Sequence, residues 1–189
     1  MKQAKVISQQ EMKRLLAVVD ARKHSARNRV AIMLSYYAGL RIGEIAVLKV
    51  GDVFDCNLNV KDQIQLKASY TKGNKARVVF VSEKLKREIN KYRVSFNTTL
   101  NPNQRFLLTQ KQTQFSPNTL CQLFCKLYSD AGIDGASSHS GRRSFITKLA
   151  HNGISPKVIM TLAGHQHLTT TQRYIDVNDE MMREAVEII

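Results

Sequence analysis

The chain has 189 residues, of which 43% are hydrophobic. This is enough to build a packed core, so the composition excludes wholesale disorder. Lys and Arg number 29 against 15 Asp and Glu, which gives a formal net charge of +14. No apolar run approaches the length of about 18 residues that a membrane-spanning helix needs, and we expect no secretory signal. Three cysteines are too few for a disulfide scaffold, so a reducing cytoplasm is the expected compartment.

The positive charge is concentrated before residue 175. Residues 1–174 carry a net charge of +18. Residues 175–189 carry −4, because this tail holds five acidic side chains and one arginine. A strongly basic body is typical of proteins that bind a polyanion, usually nucleic acid. The alternative is a basic face that is merely solvated.

The first part of the chain predicts three helices. Ser8 and Glu11 have the spacing of a capping box, and apolar residues follow at helical intervals, so a helix should begin near Ser8. A second helix should run from about Ala26 to Gly39, because glycine favours the left-handed conformation that ends many helices. A short helix is expected over residues 43–48.

The pattern then changes to the alternation of a β-hairpin. Apolar residues at every second position predict one strand that includes Ala68 and another that includes Val81, with a polar turn at 71–74 between them. Further helices are expected at 83–96, 117–131, 141–152, 156–163 and 179–188. The predicted fold class is α+β, mostly α-helical with a small antiparallel sheet, in a single domain over residues 1–189.

The sequence contains no pattern typical of a metal or nucleotide site. Cys121 and Cys125 form a close pair, but no histidine pair has the spacing that a structural zinc site needs for its second half. A two-metal nuclease needs clustered carboxylates, and these are sparse in the basic body. No glycine-rich phosphate loop occurs either. We therefore expect neither a metal nor a cofactor.

Five short motifs bring together side chains suited to phosphoryl transfer without a metal. Arginine forks can bind phosphate oxygens and neutralise charge in the transition state. Tyrosine can act as a covalent nucleophile, and lysine or histidine can protonate a leaving oxygen. The motifs are G-L-R-I-G-E at 39–44, K-G-N-K-A-R at 72–77, H-S-G-R at 139–142, G-H at 164–165 and T-T-Q-R-Y at 170–174.

These motifs closely resemble those of the tyrosine recombinase (phage integrase) family, in the same order and with the same spacing from the histidine to the tyrosine. The resemblance runs from about residue 8 to 178. The chain departs from the family pattern at Thr71, where glycine is usual, at Ser140-Gly141, where an acidic residue and leucine are usual, and at Ala163, where leucine is usual. Most members carry a core-binding helical domain before the catalytic one. The chain is therefore expected to be either a short member that lacks this domain or a fragment.

The resemblance implies a site-specific recombinase or integrase that needs neither metal nor ATP. Tyr174 would attack the scissile phosphate and form a 3′-phosphotyrosyl bond, while Arg41 and Arg142 would hold the phosphate. Lys72 would protonate the departing 5′-oxygen; it is chosen over Lys75 because it occupies the family's register.

The resemblance also implies roles for supporting residues. His139 and His165 would contribute proton transfer and a phosphate hydrogen bond, and Glu44 would orient Arg41. Further contacts with DNA are expected from four basic side chains: Lys75, Arg77, Arg143 and Arg173.

The implied partners are double-stranded DNA, further copies of the chain and accessory DNA-bending proteins, in the cytoplasm and at the nucleoid. We expect a tetramer on DNA and a monomer or dimer in its absence. In the family a C-terminal helix docks on the neighbouring protomer, and residues 178–189 form a matching amphipathic segment. The alternative is that this segment packs on its own domain.

Two other functions remain open at this point. Residues 154–165 also resemble part of a helix-turn-helix, which would fit a transcription regulator that binds DNA without cutting it. A type IB topoisomerase shares the tyrosine chemistry and would relax supercoiled DNA without a specific site.

Overall fold

The structure is a computed structural model that describes residues 4–71, 73–96, 101–175, 182–183 and 186–187. The chain divides into two units, Met1–Phe145 and Ile146–Ile189, which are described separately. Within the described ranges, no helix has both the length and the apolar character needed to cross a membrane.

The first unit is mostly helical and contains a two-stranded sheet. Its elements in chain order are α1 (Gln9–Asp20), α2 (Ser25–Ala38), α3 (Ile42–Val47), α4 (Val50–Val53), β1 (Gln63–Leu66), β2 (Arg77–Phe80), α5 (Glu83–Val94) and α6 (Pro117–Asp130). The boundary between the units falls within α7 (Ser140–His151), and the second unit continues with α8 (Pro156–Ala163) and α9 (Leu168–Gln172). The predicted fold class is confirmed.

The first two helices begin and end where local sequence signals predict. The Ser8 hydroxyl accepts the backbone N–H of Glu11 at 3.1 Å, and the Glu11 carboxylate accepts that of Ser8 at 2.9 Å, which completes the capping box. Gly39 follows α2 in the left-handed conformation, with φ of 62°. This glycine ends the helix and turns the chain towards α3.

Helix α2 lies at the centre of the first unit, and most of its side chains are buried. It packs against α1 and α5, while α3 packs against α6. At the edge of this packing the Arg29 guanidinium binds Glu88 of α5 at 2.6 Å and Asp20 of α1 at 2.8 Å. Arg29 thereby links α2 to both neighbouring helices.

The hairpin matches the prediction in its pairing and differs in its length. β1 and β2 are antiparallel, with Gln63 opposite Phe80 and Leu66 opposite Arg77. The predicted extension of the first strand to Ala68 is wrong, because Ala68–Tyr70 forms a single 3-10 turn. This turn bends the chain out of the sheet before the loop that joins the strands.

Beyond α7, the described residues of the second unit include one helix that the sequence predicts and one that it does not. The Ser155 hydroxyl accepts the N–H of Val158 at 3.4 Å at the start of α8, and Gly164 ends the helix with φ of 63°. The short helix α9 was not predicted. The helix predicted at 179–188 falls mostly outside the described residues and stays a prediction.

Candidate active site

Arg41 and Glu44 form a compact pair at the start of α3. The Glu44 carboxylate accepts the backbone N–H of Arg41 at 2.8 Å and the Arg41 guanidinium at 3.0 Å. Arg77 of β2 reaches the same carboxylate, with 2.7 Å between Nη2 and Oε2. The Glu44 side chain is only 1% exposed and that of Arg77 only 8%. A buried carboxylate therefore joins the helix that carries Arg41 to the β-hairpin.

The protonation state of Glu44 follows from these contacts. Burial acts to raise the pKa of the carboxyl, but hydrogen bonds and charge from Arg77 and Arg41 outweigh it, so the pKa lies below the ordinary value. Glu44 is consequently ionised at neutral pH. The predicted contact of Arg77 with DNA stays a prediction, and the ion pair gives this arginine a structural role in addition.

The side chain of Arg142 binds the backbone at the C-terminal end of α2. It is 6% exposed, and its Nη1 donates to the carbonyl oxygen of Gly39 at 2.6 Å. Gly39 lies two residues before Arg41 in the chain. The two arginines predicted to bind phosphate are therefore linked through one short segment of backbone.

Two glycines allow this close approach of α7 to α2. A Cβ atom on Gly141 would lie 2.8 Å from the Ser35 hydroxyl oxygen, and one on Gly39 would lie 2.5 Å from the ring of Phe145. Ser35 is itself fully buried. The leucine usual in the family at position 141 would not fit against Ser35 in this arrangement. The departure from the family pattern thus has a packing reason.

His139 and Arg143 lie at the start of α7. His139 is exposed, its backbone N–H donates to the Ser137 hydroxyl at 3.3 Å, and its carbonyl accepts the N–H of Arg143 at 2.9 Å. Arg143 is half-buried. The first unit therefore pairs Arg41 with Glu44 directly and links Arg142 to the same segment through the Gly39 carbonyl, while the roles of His139 and Arg143 stay predictions.

The loop of the hairpin is closed by a threonine side chain. The Thr71 hydroxyl lies 2.7 Å from the carbonyl oxygen of Lys75 and accepts the Lys75 N–H at 3.1 Å. Thr71 has an extended backbone, with φ of −107°, so this position does not need the glycine that is usual in the family. Lys75 is exposed. Lys72, the predicted general acid, lies outside the described residues.

The second unit brings His165 and Tyr174 together. Their rings stack with centroids 5.9 Å apart and planes inclined by 22°. His165 Nδ1 lies 2.9 Å from the hydroxyl oxygen of Thr171. The carbonyl of Thr171 accepts the N–H of Tyr174 at 2.9 Å. Arg173, a predicted DNA contact, is exposed beside this group.

Thr171 is the residue of this group to which the sequence assigned no role. It is 0% exposed, and it stands six residues after His165 and three before Tyr174. The sequence signal that could have found it is the Thr-Thr pair of the last motif, of which Thr171 is buried and Thr170 half-buried. Among the described residues, no three His, Cys, Asp or Glu side chains are grouped so that they could hold a metal ion.

Comparison with known proteins identifies the family. The family model described as "Phage integrase family" matches residues 5–181. The chain therefore belongs to the phage integrase family, and the resemblance found in the motifs is confirmed.

The relatives are recombinases of greater length. Tyrosine recombinase XerA of Pyrococcus horikoshii is 30% identical over 97% of this chain, and that of Thermococcus onnurineus is 32% identical over 97%. The chain spans 60% and 62% of the lengths of these two proteins.

Solved structures agree on the fold. A crystal structure of XerA recombinase, 25% identical, aligns with a TM-score of 0.74 over 98% of this chain and 63% of its own length. The Tn1549 transposon integrase in complex with a circular intermediate DNA aligns with a TM-score of 0.81, over 100% of this chain and 67% of its own length. At 18% identity, that second likeness shows the fold alone.

Proposed function

We propose that this chain is the catalytic domain of a site-specific DNA recombinase, which cleaves and rejoins strands through a 3′-phosphotyrosyl intermediate. The observation that carries the proposal is the stacking of His165 on Tyr174 in a chain that belongs to the phage integrase family. The printed names of the relatives, tyrosine recombinases of the Xer type, support it.

The chemistry is a transesterification in which atoms and charge balance without a metal or a nucleotide. The phenol oxygen of Tyr174 forms a bond to the scissile phosphorus while its proton passes to a base, the role proposed for His139. The bond from phosphorus to the 5′-oxygen breaks. Lys72 donates the proton that this oxygen takes up. The phosphotyrosyl diester retains the bond energy of the DNA diester, so the 5′-hydroxyl of another strand can reverse the reaction.

Charge neutralisation is the part of the mechanism assigned to the arginines. Arg41 and Arg142 bind the non-bridging oxygens, where negative charge develops in the transition state. Glu44 holds the Arg41 guanidinium in place at 3.0 Å. His139 supplies the proton transfer and His165 a hydrogen bond to the phosphate. The contacts of Arg41 with Glu44 and of Arg142 with the Gly39 carbonyl hold these two side chains in place before DNA binds.

The proposed partner is double-stranded DNA, bound through the basic residues before position 175. Lys75, Arg143 and Arg173 are proposed phosphate contacts. Affinity should fall steeply with salt, with a slope of about −0.9 on a logarithmic plot for each phosphate neutralised. The proposed assembly is a homotetramer on DNA, from monomers or dimers in solution, aided by accessory DNA-bending proteins, at the nucleoid in the cytoplasm.

A covalent-trapping experiment tests the proposal. The chain is incubated with a pool of random-sequence DNA duplexes that each carry one nick, so that a cleaved end can diffuse away and leave the protein attached. We expect an adduct that survives a denaturing gel, and its DNA can be sequenced. Tyr174→Phe should abolish the adduct, and Tyr37→Phe, a half-buried tyrosine on α2, should retain it.

Two results would overturn the proposal. A retarded band on a native gel without any covalent adduct would fit a regulator that binds DNA without cutting it. Relaxation of a supercoiled plasmid of arbitrary sequence, with no preferred trapped site, would instead assign the same chemistry to a topoisomerase.

A further inference from the structure

The buried hydroxyl of Thr171 contacts one of the two ring nitrogens of His165, the Nδ1 atom. Thr171 is 0% exposed, and its Oγ1 lies 2.9 Å from His165 Nδ1. Its carbonyl meanwhile accepts the N–H of Tyr174 at 2.9 Å. One residue of α9 therefore holds both the histidine ring and the backbone of the nucleophile, within a single unit of the fold.

The hydrogen-bonding capacity of the hydroxyl group indicates which of the two atoms is the donor in this contact. A threonine hydroxyl has one proton to donate, and in a helix it commonly donates to the carbonyl three or four residues earlier. Among the hydrogen bonds of the described residues, Thr171 Oγ1 has its partner in His165 Nδ1. A buried hydroxyl that left its proton unused would lose stability. The favoured arrangement is donation from Thr171 to an unprotonated Nδ1.

This arrangement fixes the tautomer of the ring. A neutral histidine that accepts at Nδ1 carries its proton on Nε2. When the ring takes up a second proton, Nδ1–H donates to the same Oγ1, and Nε2 keeps its proton. In both charge states Nε2 is a hydrogen-bond donor, as the binding of an anionic phosphate oxygen requires.

We propose that Thr171 is a positioning residue for strand cleavage, which holds His165 in the Nε2–H form so that it donates to the phosphate and does not act as the base for Tyr174. The proposal rests on the proposed function for the role of the phosphate, but the tautomer itself does not. Thr171 acts only through His165 and through the Tyr174 backbone, and touches no substrate.

The tautomer is measured directly by long-range ¹H–¹⁵N correlation NMR of the ring nitrogens in the full chain. The His165 signals are assigned by their loss in His165→Gln. We expect the neutral ring of the wild type to carry its proton on Nε2. Thr171→Val, which keeps the shape but lacks the hydroxyl, should give a mixture of the two tautomers, and Thr171→Ser should restore the wild-type pattern.

Kinetics supply the second measurement. The rate of adduct formation on the nicked duplexes should fall about tenfold in Thr171→Val, the effect of one lost hydrogen bond at the reacting centre, with DNA affinity nearly unchanged. Thr171→Ser should recover the rate. The matched control is Thr170→Val at the neighbouring, half-buried threonine, which should behave as the wild type in both measurements.

Several outcomes would overturn the proposal. A wild-type ring with its proton on Nδ1 would do so even if Thr171→Val failed to fold. A Thr171→Val variant with the wild-type tautomer and rate, or a Thr171→Ser variant no better than valine, would do so too. If the wild type forms no adduct but shows the Nε2–H form, the proposed function fails while the hydrogen bond from Thr171 stands.

Discussion

The ion pair between Glu44 and Arg77 offers the strongest test of how the first unit is held together. Glu44→Gln keeps the shape of the side chain and removes its charge. The variant would leave the Arg77 guanidinium, only 8% exposed, beside a neutral amide. Removing one partner of a buried ion pair costs about 3–5 kcal/mol, because the remaining charge is desolvated without compensation. The amide still offers one acceptor oxygen, so we expect a loss near the lower end, about 3 kcal/mol.

This loss is large for a small domain, whose free energy of unfolding is commonly about 5–15 kcal/mol. The measurement is urea unfolding followed by circular dichroism. With an m value of about 2 kcal/mol per molar urea, the midpoint should fall by about 1.5 M. The matched control is Glu83→Gln on α5, whose carboxylate is 75% exposed and pairs with Lys86. An exposed pair is well screened by water, so the control should keep nearly the wild-type midpoint.

The pH dependence of the free energy of unfolding provides a second test of the ion pair. The pKa of Glu44 is lowered in the folded state from its ordinary value of 4.5. Its contribution to stability is therefore fully present above about pH 4.5 and is lost as the pH falls through the folded-state pKa. The difference between the wild type and Glu44→Gln should shrink as the pH is lowered below 4.5. An unfolding midpoint within the range of the control, or a difference that does not shrink in acid, would refute the reasoning.

Three further predictions concern the packing and the chemistry around this site. Gly141→Ala should lower the melting temperature, because its Cβ would lie 2.8 Å from the Ser35 hydroxyl oxygen, an overpacking cost of about 1–3 kcal/mol. Adding Ser35→Gly to Gly141→Ala should relieve this overpacking. A double variant whose loss of stability equals the sum of the two single losses would contradict the contact. Thr71→Ala should speed hydrogen exchange of the Lys75 amide about fivefold through loss of a bond worth about 1 kcal/mol, and an unchanged rate would show that the hydroxyl does not close the loop. Arg142→Lys keeps the charge but loses the planar fork, so trapping of nicked DNA should fall about a hundredfold, whereas near-normal trapping would argue against phosphate binding by this side chain.

Local signals predicted the parts of the fold whose cause lies within a few residues. The capping box at Ser8 and the left-handed glycine at position 39 act over three or four residues of chain, and both appear in the structure as predicted. Helix α9 was missed because its residues, Leu168–Gln172, include three consecutive threonines. Branching at Cβ gives threonine a low helix propensity, so the helix depends on contacts beyond its own sequence.

In the candidate site too, contacts between residues near in sequence could be predicted and contacts between distant residues could not. The pairing of Arg41 with Glu44 spans three residues and could be predicted from the sequence, and the structure shows the contact. The bond from Arg77 to Glu44 spans 33 residues, and that from Arg142 to the Gly39 carbonyl spans 103. Contacts over such distances depend on how the helices and the hairpin pack, which the spacing of motifs does not specify.

The contact between Ser35 and Gly141 has a consequence for protein engineering. Because the two positions share one space, neither can be exchanged for the residue of a relative without regard to the other. A chimera that takes the H-x-x-R segment from a recombinase with leucine after its acidic residue should also take that relative's helix corresponding to α2. Amino acids at positions 35 and 141 are then expected to vary together across the family, with a small residue at one wherever the other is large.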